Sequence, residues 1–167
     1  MNNLYIRQEI LELKIPESVA VIGVGGTGTW VALGLAMSGV PELYLIDPDS
    51  LENHNRNRLP FPIGQVSRSK VDVVGDLIVS LRPDINLVKM QTRADGNLLG
   101  ILPPLYVVDC TDKYKLQLEL YEKCKELGKI YIRCGYDGTR ISVTSTVPKW
   151  SLEDDPNDGY TIVPSWV

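Results

Sequence analysis

Five short runs of consecutive, mostly aliphatic residues recur along the chain, separated by longer segments in which apolar positions follow helical spacing. A run that is apolar at successive positions is typical of a strand buried on both faces of a parallel sheet. The predicted strands are residues 18–24, 42–49, 85–92, 105–112 and 130–138. Strands that alternate with helices predict βαβ units and a twisted, mostly parallel sheet.

Helices are predicted in the intervening segments. They cover residues 27–40, 67–84, a short piece at 97–104, and 114–129, with looser helical spacing at 4–13. Ser67 is the expected N-cap of the second of these helices, and residues 139–147 are the expected hairpin partner of the last strand. The predicted fold class is α/β, a Rossmann-like, doubly wound, mostly parallel sheet with helices on both faces. Ligands bind such sheets at the carboxyl ends of the strands, near the switch point.

The loop after the first predicted strand is rich in glycine. Its residues, GVGGTG at 23–28, fit the G-x-G-x-x-G spacing between a strand and a helix, which is the context this motif requires. Gly23 is expected to permit the tight turn, and Gly28 the close packing of helix on strand. Gly25 and Gly26 are expected to let backbone N–H groups approach a phosphate at the helix N-terminus. A glycine turn that serves packing alone is the alternative.

Acidic residues follow the second predicted strand. Asp47 lies 19 residues after Gly28 and begins an Asp-x-Asp pair that ends at Asp49. A carboxylate about 20 residues beyond such a loop reaches ribose hydroxyls in dinucleotide-binding folds, so we expect both acids to contact a cofactor. An exposed strand-end acid is the plainer interpretation. Up to this point a nicotinamide dehydrogenase and an ATP-using enzyme are equally well supported.

The next loop favours the ATP-using enzyme by its composition. The stretch DPDSLENHNRNRLPF contains two arginines and three asparagines, and guanidinium groups suit polyphosphate oxygens. Asn55 can bond a phosphate or orient a neighbouring side chain. Lys70, in the first turn of the following helix, is placed as a point charge for phosphate. Arg56 competes with Arg58 for the phosphate role, and Arg68 competes with Lys70.

Composition narrows the function classes further. Apolar residues make up 44% of the chain and charged residues 23%, with a net charge of −4, so a basic surface for nucleic acid is not expected. The three scattered cysteines and the single histidine, His54, form no zinc-ligand spacing. An odd cysteine count favours a reducing cytoplasm, and no apolar run approaches the roughly 20 residues of a membrane span. We therefore expect one cytoplasmic domain spanning residues 1–167.

Five motifs, in their order along the chain, resemble the ThiF/MoeB/HesA family, whose adenylyltransferase fold is shared with ubiquitin-activating enzymes. The family pattern is a G-x-G-G-x-G loop, then D-x-D-x-V, S-N-L-x-R-Q, V-G-x-x-K and D-C-T-D-N. The corresponding stretches here are GVGGTG, DPDSL, HNRNRL, VSRSK and DCTDK. The resemblance runs from about Tyr5 to Trp150, which is nearly the whole chain.

The resemblance implies ATP-dependent adenylation of a carboxylate. The acceptor would be the C-terminus of a peptide or of a ubiquitin-like or sulfur-carrier protein with a Gly-Gly tail, and pyrophosphate would leave. The implied catalytic residues include Arg58 and Lys70 at the phosphates, where cations must cancel the charge of two approaching anions. Asp47 would contact the ribose, Asn55 would match the family asparagine, and Asp112 would hold Mg²⁺. No general base is needed, because the carboxylate is already ionised.

The N-terminal stretch YIRQ resembles the family's Y-x-R-Q, so Arg7 matches an arginine that enters the nucleotide site of a partner subunit. This implies a homodimer, although the apolar side of LYIRQEIL can instead pack on its own domain. Longer family members continue into a region with a catalytic cysteine and zinc-binding pairs. We expect this chain to be a fragment or a minimal domain without that region.

Four positions depart from the family pattern. Leu59, Ser67 and Lys113 replace its Gln, Gly and Asn, and Gln117 stands where many members carry arginine. None of these departures removes a residue assigned above to phosphate, ribose or metal. Two alternatives stay open: a non-catalytic module that binds a nucleotide or a partner, and a NAD-dependent dehydrogenase.

Overall fold

The computed structural model describes residues 3–9, 11–137 and 140–147, and strands from these ranges form one six-stranded sheet. The strands are β1 (Ser18–Ile22), β2 (Glu42–Ile46), β3 (Asn86–Met90), β4 (Tyr106–Asp109), β5 (Ile130–Asp137) and β6 (Arg140–Thr144). Their order across the sheet is β3-β2-β1-β4-β5-β6. The direction of winding reverses between β1 and β4, which makes that gap the switch point of a doubly wound sheet.

Strands β1 to β5 pair in parallel, and β6 pairs antiparallel with β5. The predicted parallel sheet and the predicted hairpin are both confirmed. The register aligns Ile22 of β1 with Ile46 of β2 on one side and with Asp109 of β4 on the other. Because these three strands end level with one another, the loops that follow them emerge together at one edge of the sheet.

Helices cover both faces of this sheet, as the alternating pattern predicts. They are α2 (Gly26–Met37), α3 (Lys70–Leu81), α4 (Gly96–Ile101) and α5 (Tyr114–Glu126), and a one-turn helix, α1 (Ile6–Glu9), precedes the first strand. Helices α2 and α3 bury Ala32, Ala36 and Val74 in one apolar cluster. Helices α4 and α5 bury Leu99 and Leu120 in a second cluster on the opposite face. Among the described helices, none has the length and apolar character needed to cross a lipid bilayer.

Two expected boundaries are wrong. The N-cap of α3 is Ser69 rather than Ser67, and the Ser69 hydroxyl accepts a hydrogen bond from the backbone N–H of Asp72 at 3.2 Å. Ser67 has φ of +75°, in the left-handed region that favours glycine, and therefore turns the chain just before the helix. In the N-terminal segment the described helical residues are a 3₁₀ turn at Asn3–Tyr5 and α1, whereas Glu12, within the expected helical segment, has a positive φ of 49°.

Candidate functional site

The glycine loop, residues 23–28, leads from the end of β1 into α2 and needs glycine at two of its positions. Gly23 has φ of +82°, and its backbone N–H donates to the Ile46 carbonyl of β2 at 2.8 Å. A Cβ atom at Gly23 would lie 3.1 Å from the Cys110 carbonyl oxygen, and one at Gly28 would lie 1.7 Å from the Gly23 oxygen. The loop is therefore closed tightly against the ends of β2 and β4, as the packing roles of these glycines predict.

The middle of the loop has different surroundings. Among the described residues, none comes within 4 Å of a Cβ placed at Gly25, which leaves the backbone there open to a ligand. At Gly26, the Tyr136 hydroxyl and Arg58 Cδ would lie only 2.9 Å and 3.1 Å from such an atom. The absence of a side chain at Gly26 thus lets two polar side chains reach the start of α2.

Helix α2 begins at this point, with Gly25 as an N-cap that offers no side-chain oxygen. The first N–H groups of a helix have no partner within the helix, and the first turn of α2 contains no acidic residue. The partial positive charge at the start of the 12-residue helix is therefore uncompensated by its own sequence. Together with the open backbone at Gly25, this arrangement suits an anionic group such as phosphate.

Asp47 connects the glycine loop to the end of β2. Its Oδ2 accepts a hydrogen bond from the Val24 backbone N–H at 2.8 Å, and its Oδ1 accepts one from the Asp49 N–H at 2.9 Å. The side chain is buried, and burial raises the pKa of its carboxyl group, while the nearby Lys70 ammonium and the two N–H donors lower it. Asp47 therefore shapes the loop, and its contact with a ribose stays a prediction.

Lys70 is the first residue of α3 and points toward these acids. Its Nζ lies 2.7 Å from Asp49 Oδ2 and 3.9 Å from Asp47 Oδ1, with only 12% of the side chain exposed. Arg68 is directed elsewhere, because its guanidinium pairs with Asp76 Oδ2 at 2.7 Å on the exposed side of α3. Of the two cations that the sequence left in competition, Lys70 is the one at the strand ends.

Of the two neighbouring arginines at positions 56 and 58, the loop between β2 and α3 places one on the glycine loop. Arg58 is half-buried, lies against Gly26, and donates from Nη1 to the His54 carbonyl oxygen at 3.3 Å. Arg56 is exposed and bonds Asn53 Oδ1 at 3.2 Å. The geometry therefore brings Arg58, and not Arg56, to the open start of α2, which we call the cradle.

Asn55 is almost completely buried beneath this arginine loop. Its Oδ1 accepts a hydrogen bond from the Glu52 backbone N–H at 2.9 Å, and its carbonyl oxygen accepts one from the Arg58 N–H at 3.2 Å. Of the two roles that the sequence suggests, orientation of a neighbour is the one these contacts support. Direct contact of Asn55 with a cofactor stays a prediction.

The segment after β4 forms the other side of the cradle. The Cys110 backbone N–H donates to the Ile22 carbonyl oxygen at 2.8 Å, and the Cys110 carbonyl packs on Gly23. Asp112, the expected magnesium ligand, follows at this edge with an exposed side chain. Within the described ranges, no group of three or more His, Cys, Asp or Glu residues could hold a metal ion.

A buried polar network, which the sequence analysis missed, supports the DCTD segment. Asp109 is fully buried and accepts hydrogen bonds from the Tyr131 hydroxyl at 2.7 Å and from the Thr111 N–H and hydroxyl. The Gln117 amide donates to the Thr111 carbonyl and accepts from Arg133 Nε at 2.8 Å. Burial raises the pKa of the Asp109 carboxyl group, and the Tyr131 and Thr111 donors oppose that rise. The network fixes the turn that precedes Asp112.

Two cysteines are neighbours at the same edge. The β4–β5 pairing aligns Asp109 with Arg133, so the next residues, Cys110 and Cys134, lie side by side. A hydrogen bond between their thiols lowers the pKa of Cys134 and raises that of Cys110, as expected for two groups that share one proton. Both are free thiols, and Cys110 contacts the glycine loop through its Cβ atom, which lies 3.2 Å from a Cβ placed at Gly28.

The Arg7 side chain lies outside the described residues, so its predicted role stays a prediction. The segment that carries it is attached to the domain by Tyr5, whose hydroxyl accepts a hydrogen bond from Arg82 and whose ring packs on Gly39. Arg82 is itself buried and donates to the Ala36 carbonyl oxygen at the end of α2.

Comparison of the sequence with known protein families gives one match. The model of the ThiF family matches residues 8–153. The chain is 32% identical, over 139 residues, to the sulfur carrier protein ThiS adenylyltransferase of Escherichia coli (strain K12), covering 81% of this chain and 55% of that protein. It is 29% identical, over 139 residues, to ubiquitin-like modifier-activating enzyme 5 of Branchiostoma floridae, covering 75% of this chain and 34% of that protein.

Solved structures of E. coli MccB share the fold. The complex of MccB with ATP superposes with a TM-score of 0.73 at 26% identity, covering 83% of this chain and 46% of that one. The complex with MccA-N7isoASN gives 0.77 at 25% identity, covering 86% of this chain and 47% of that one. The chain spans between about a third and just over half of the length of these relatives.

Proposed function

The chain belongs to the ThiF family, and on that premise we propose that it binds ATP across the glycine loop and adenylates a carboxylate, with release of pyrophosphate. The observation that carries this proposal is the convergence of Arg58 on Gly26, at the open start of α2, beside strand-end acids that hold Lys70. In a NAD-dependent dehydrogenase the pyrophosphate lies on backbone N–H groups and the strand-end acid contacts the ribose, so Arg58 and Lys70 would have no assigned role. The ATP complex of MccB, a protein of the same fold, supports the choice of nucleotide.

The side chains divide the work along the nucleotide. Each Asp47 oxygen accepts one backbone N–H and keeps a second lone pair, so the carboxylate can also accept a ribose hydroxyl without releasing the loop. Asp49 lies beside Asp47 with 62% of its side chain exposed, and in this proposal it also contacts the nucleotide while its Oδ2 pairs with Lys70. The phosphates would lie on the start of α2, where Arg58 and Lys70 cancel charge on the α-phosphate and on the departing pyrophosphate. Such preorganised charge stabilises the transition state of an attack between two anions.

Asp112 is the residue that would hold Mg²⁺ in this proposal. Its exposed carboxylate at the end of the β4 segment suits an ion that keeps several waters and takes its other ligands from phosphate. When bound, the ion would neutralise phosphate charge and favour departure of pyrophosphate. Lys113, directly beside Asp112, adds a cation that would weaken metal affinity or contact the phosphates itself.

The acceptor in this proposal is the C-terminal carboxylate of a ubiquitin-like or sulfur-carrier protein, or of a peptide. The relatives act on such partners by name: ThiS is a sulfur carrier, and enzyme 5 activates a ubiquitin-like modifier. The chain needs no base, because the attacking carboxylate is ionised at neutral pH. The part of the protein described here would supply the adenylation step, as a single nucleotide-binding domain.

We further propose a homodimer in which Arg7 of one subunit completes the site of the other. Exposed apolar side chains in the N-terminal segment support it: Leu4 is 61% exposed, Ile6 55% and Leu11 67%. Mixing two inactive variants, Arg7→Ala and Arg58→Ala, tests the exchange of residues between subunits. Recovery of activity on mixing is expected, and failure to recover it would place Arg7 outside the partner's site.

The experiment that tests the function is ATP–pyrophosphate exchange with purified acceptors of the three classes. We expect exchange that depends on one acceptor and on Mg²⁺. ATP binding without exchange by any acceptor would favour the non-catalytic module, and binding of NADH in preference to ATP would overturn the proposal. A reducing compartment such as the cytoplasm is part of the proposal, supported by the three free thiols.

A further inference from the structure

Tyr136 lies at the phosphate cradle and has no role in the function proposed above. It belongs to β5, near the carboxyl end of the strand and one strand removed from the switch point. Its hydroxyl oxygen is 2.9 Å from the place that a Cβ atom would take at Gly26, the first residue of α2. The side chain of a residue 110 positions further along the chain thus touches the start of the helix.

The orientation of the Tyr136 ring follows from the strand. Side chains alternate between the faces of a sheet, and Ile132 and Cys134 of β5 pack on the cluster beneath α2, whereas Tyr131 packs in the cluster on the other face. Tyr136 therefore faces α2. Its backbone is paired with Ile141 of β6, so strand pairing fixes the point from which the ring extends.

The hydroxyl groups of two tyrosines in β5 differ in their partners. The Tyr131 hydroxyl donates a hydrogen bond to the buried Asp109 at 2.7 Å, in the interior of the domain. The Tyr136 hydroxyl makes no hydrogen bond to any residue within the described ranges, although it lies in a half-buried position beside helix N–H groups and the Arg58 stem. A phenol in that position is a donor directed at the place where an anion would bind.

We propose that the Tyr136 hydroxyl donates a hydrogen bond to a phosphate oxygen of the nucleotide bound at the start of α2. This inference rests on the proposed function, because it assumes that a nucleotide phosphate occupies the cradle. Tyr136 and Arg58 approach the phosphate from two different sides, one from β5 and one from the loop after β2. The missing side chain at Gly26 makes room for both.

The test compares Tyr136→Phe with the wild-type protein by calorimetric titration of ATP and of adenosine. The substitution keeps the ring and removes only the hydroxyl. A hydrogen bond to a charged group is worth enough that its loss weakens ATP binding by about tenfold, and adenosine binding is expected to stay unchanged. Tyr106→Phe is the matched control, because Tyr106 packs on the same face at the opposite end of the sheet.

The outcomes separate the inference from the function on which it rests. If the wild-type protein binds no ATP, the proposed function fails and the inference falls with it. If both proteins bind ATP equally, Tyr136 is not a phosphate ligand and the proposed function stands. Tighter ATP binding by Tyr136→Phe, or an equal loss for ATP and adenosine, overturns the inference as well, because neither result fits a donor to phosphate.

Discussion

Asp47 and Val24 are joined by a 2.8 Å hydrogen bond from the Val24 backbone N–H to the Asp47 carboxylate, across 23 positions of the chain. This bond holds the glycine loop to the end of β2. We expect Asp47→Ala to destabilise the protein by about 1–3 kcal/mol, because it leaves the N–H of the fully buried Val24 without an acceptor. Urea denaturation measures the change, and Asp76→Ala, in an exposed ion pair, is the control expected to stay within about 0.5 kcal/mol.

Lys70 lowers the pKa of Asp47, although burial raises that pKa above its ordinary value of 3.8. A raised carboxyl pKa in the folded state stabilises the fold below the ordinary pKa, and that contribution is lost as pH rises through the folded-state value. Lys70→Met removes the opposing cation, so we expect the pKa of Asp47 to rise further and this window to extend to higher pH. Carboxyl ¹³C NMR titration measures the shift, and Arg68→Met is expected to leave Asp47 unchanged.

Arg58 and Arg56 form a matched pair for the adenylation step. Arg58→Ala is expected to reduce ATP–pyrophosphate exchange by about 100-fold or more, because it removes a cation from the cradle. Arg56→Ala removes the same group from a neighbouring exposed position that bonds only Asn53 among the contacts described and is expected to retain exchange. Equal losses in both variants would contradict the assignment of Arg58 to the phosphates.

Gly28 and Gly34 test the packing of the loop on α2. A Cβ at Gly28 would lie 1.7 Å from the Gly23 carbonyl oxygen, whereas no atom of the part of the chain that the structure describes comes within 4 Å of one at Gly34 in the same helix. Gly28→Ala is expected to cost about 3 kcal/mol or more. Gly34→Ala is expected to stabilise the protein by about 0.5–1 kcal/mol, since alanine loses less backbone entropy in a helix. Urea denaturation of both variants measures the contrast, and a Gly28→Ala protein of wild-type stability would refute the close approach.

The Cys110–Cys134 pair predicts a reactive thiol. The Cys110 hydrogen bond lowers the pKa of Cys134 below the ordinary 9.0, so its alkylation by iodoacetamide is expected to rise at lower pH than for a typical thiol. Cys110→Ala removes the donor and is expected to move the midpoint to higher pH, because burial then dominates. Mass spectrometry assigns the modified residue, and Cys124, whose buried thiol has a pKa raised to about 11, serves as the unreactive control.

The mostly parallel sheet and both helix layers could be predicted from the sequence because strands buried on both faces are mostly apolar and are therefore easy to locate. The cap of α3 was missed for a local reason. Ser67 and Ser69 are both good capping residues, and only the backbone distinguishes them, since Ser67 takes a left-handed conformation. The choice between Arg56 and Arg58 likewise depended on structure, because the short helix at Asn53–Asn57 directs their side chains apart.

Tyr136 and the network around Asp109 could not be predicted from spacing. Their partners are far apart along the chain, as Tyr131 is from Asp109, and a single tyrosine in a strand is more often part of the core. The buried position of Asn55 could not be predicted either, because an asparagine side chain is equally suited to contact a ligand and to form hydrogen bonds that stabilise its own loop. Only the fold brings such residues beside the glycine loop, which the motif itself had located.

Strands β2 and β4, which end at Ile46 and Asp109, flank β1 on both sides, and this arrangement determines the width of the space over the end of β1. Its two walls are separated by two interstrand spacings, about 9.6 Å in all. Hydrogen bonding between the strand backbones sets that distance. Substitution of side chains at the strand ends can therefore change the charge that a ligand meets, but it hardly changes the distance between β2 and β4. A larger ligand would require longer loops after β1, β2 and β4, because the spacing of the strands in the sheet does not change.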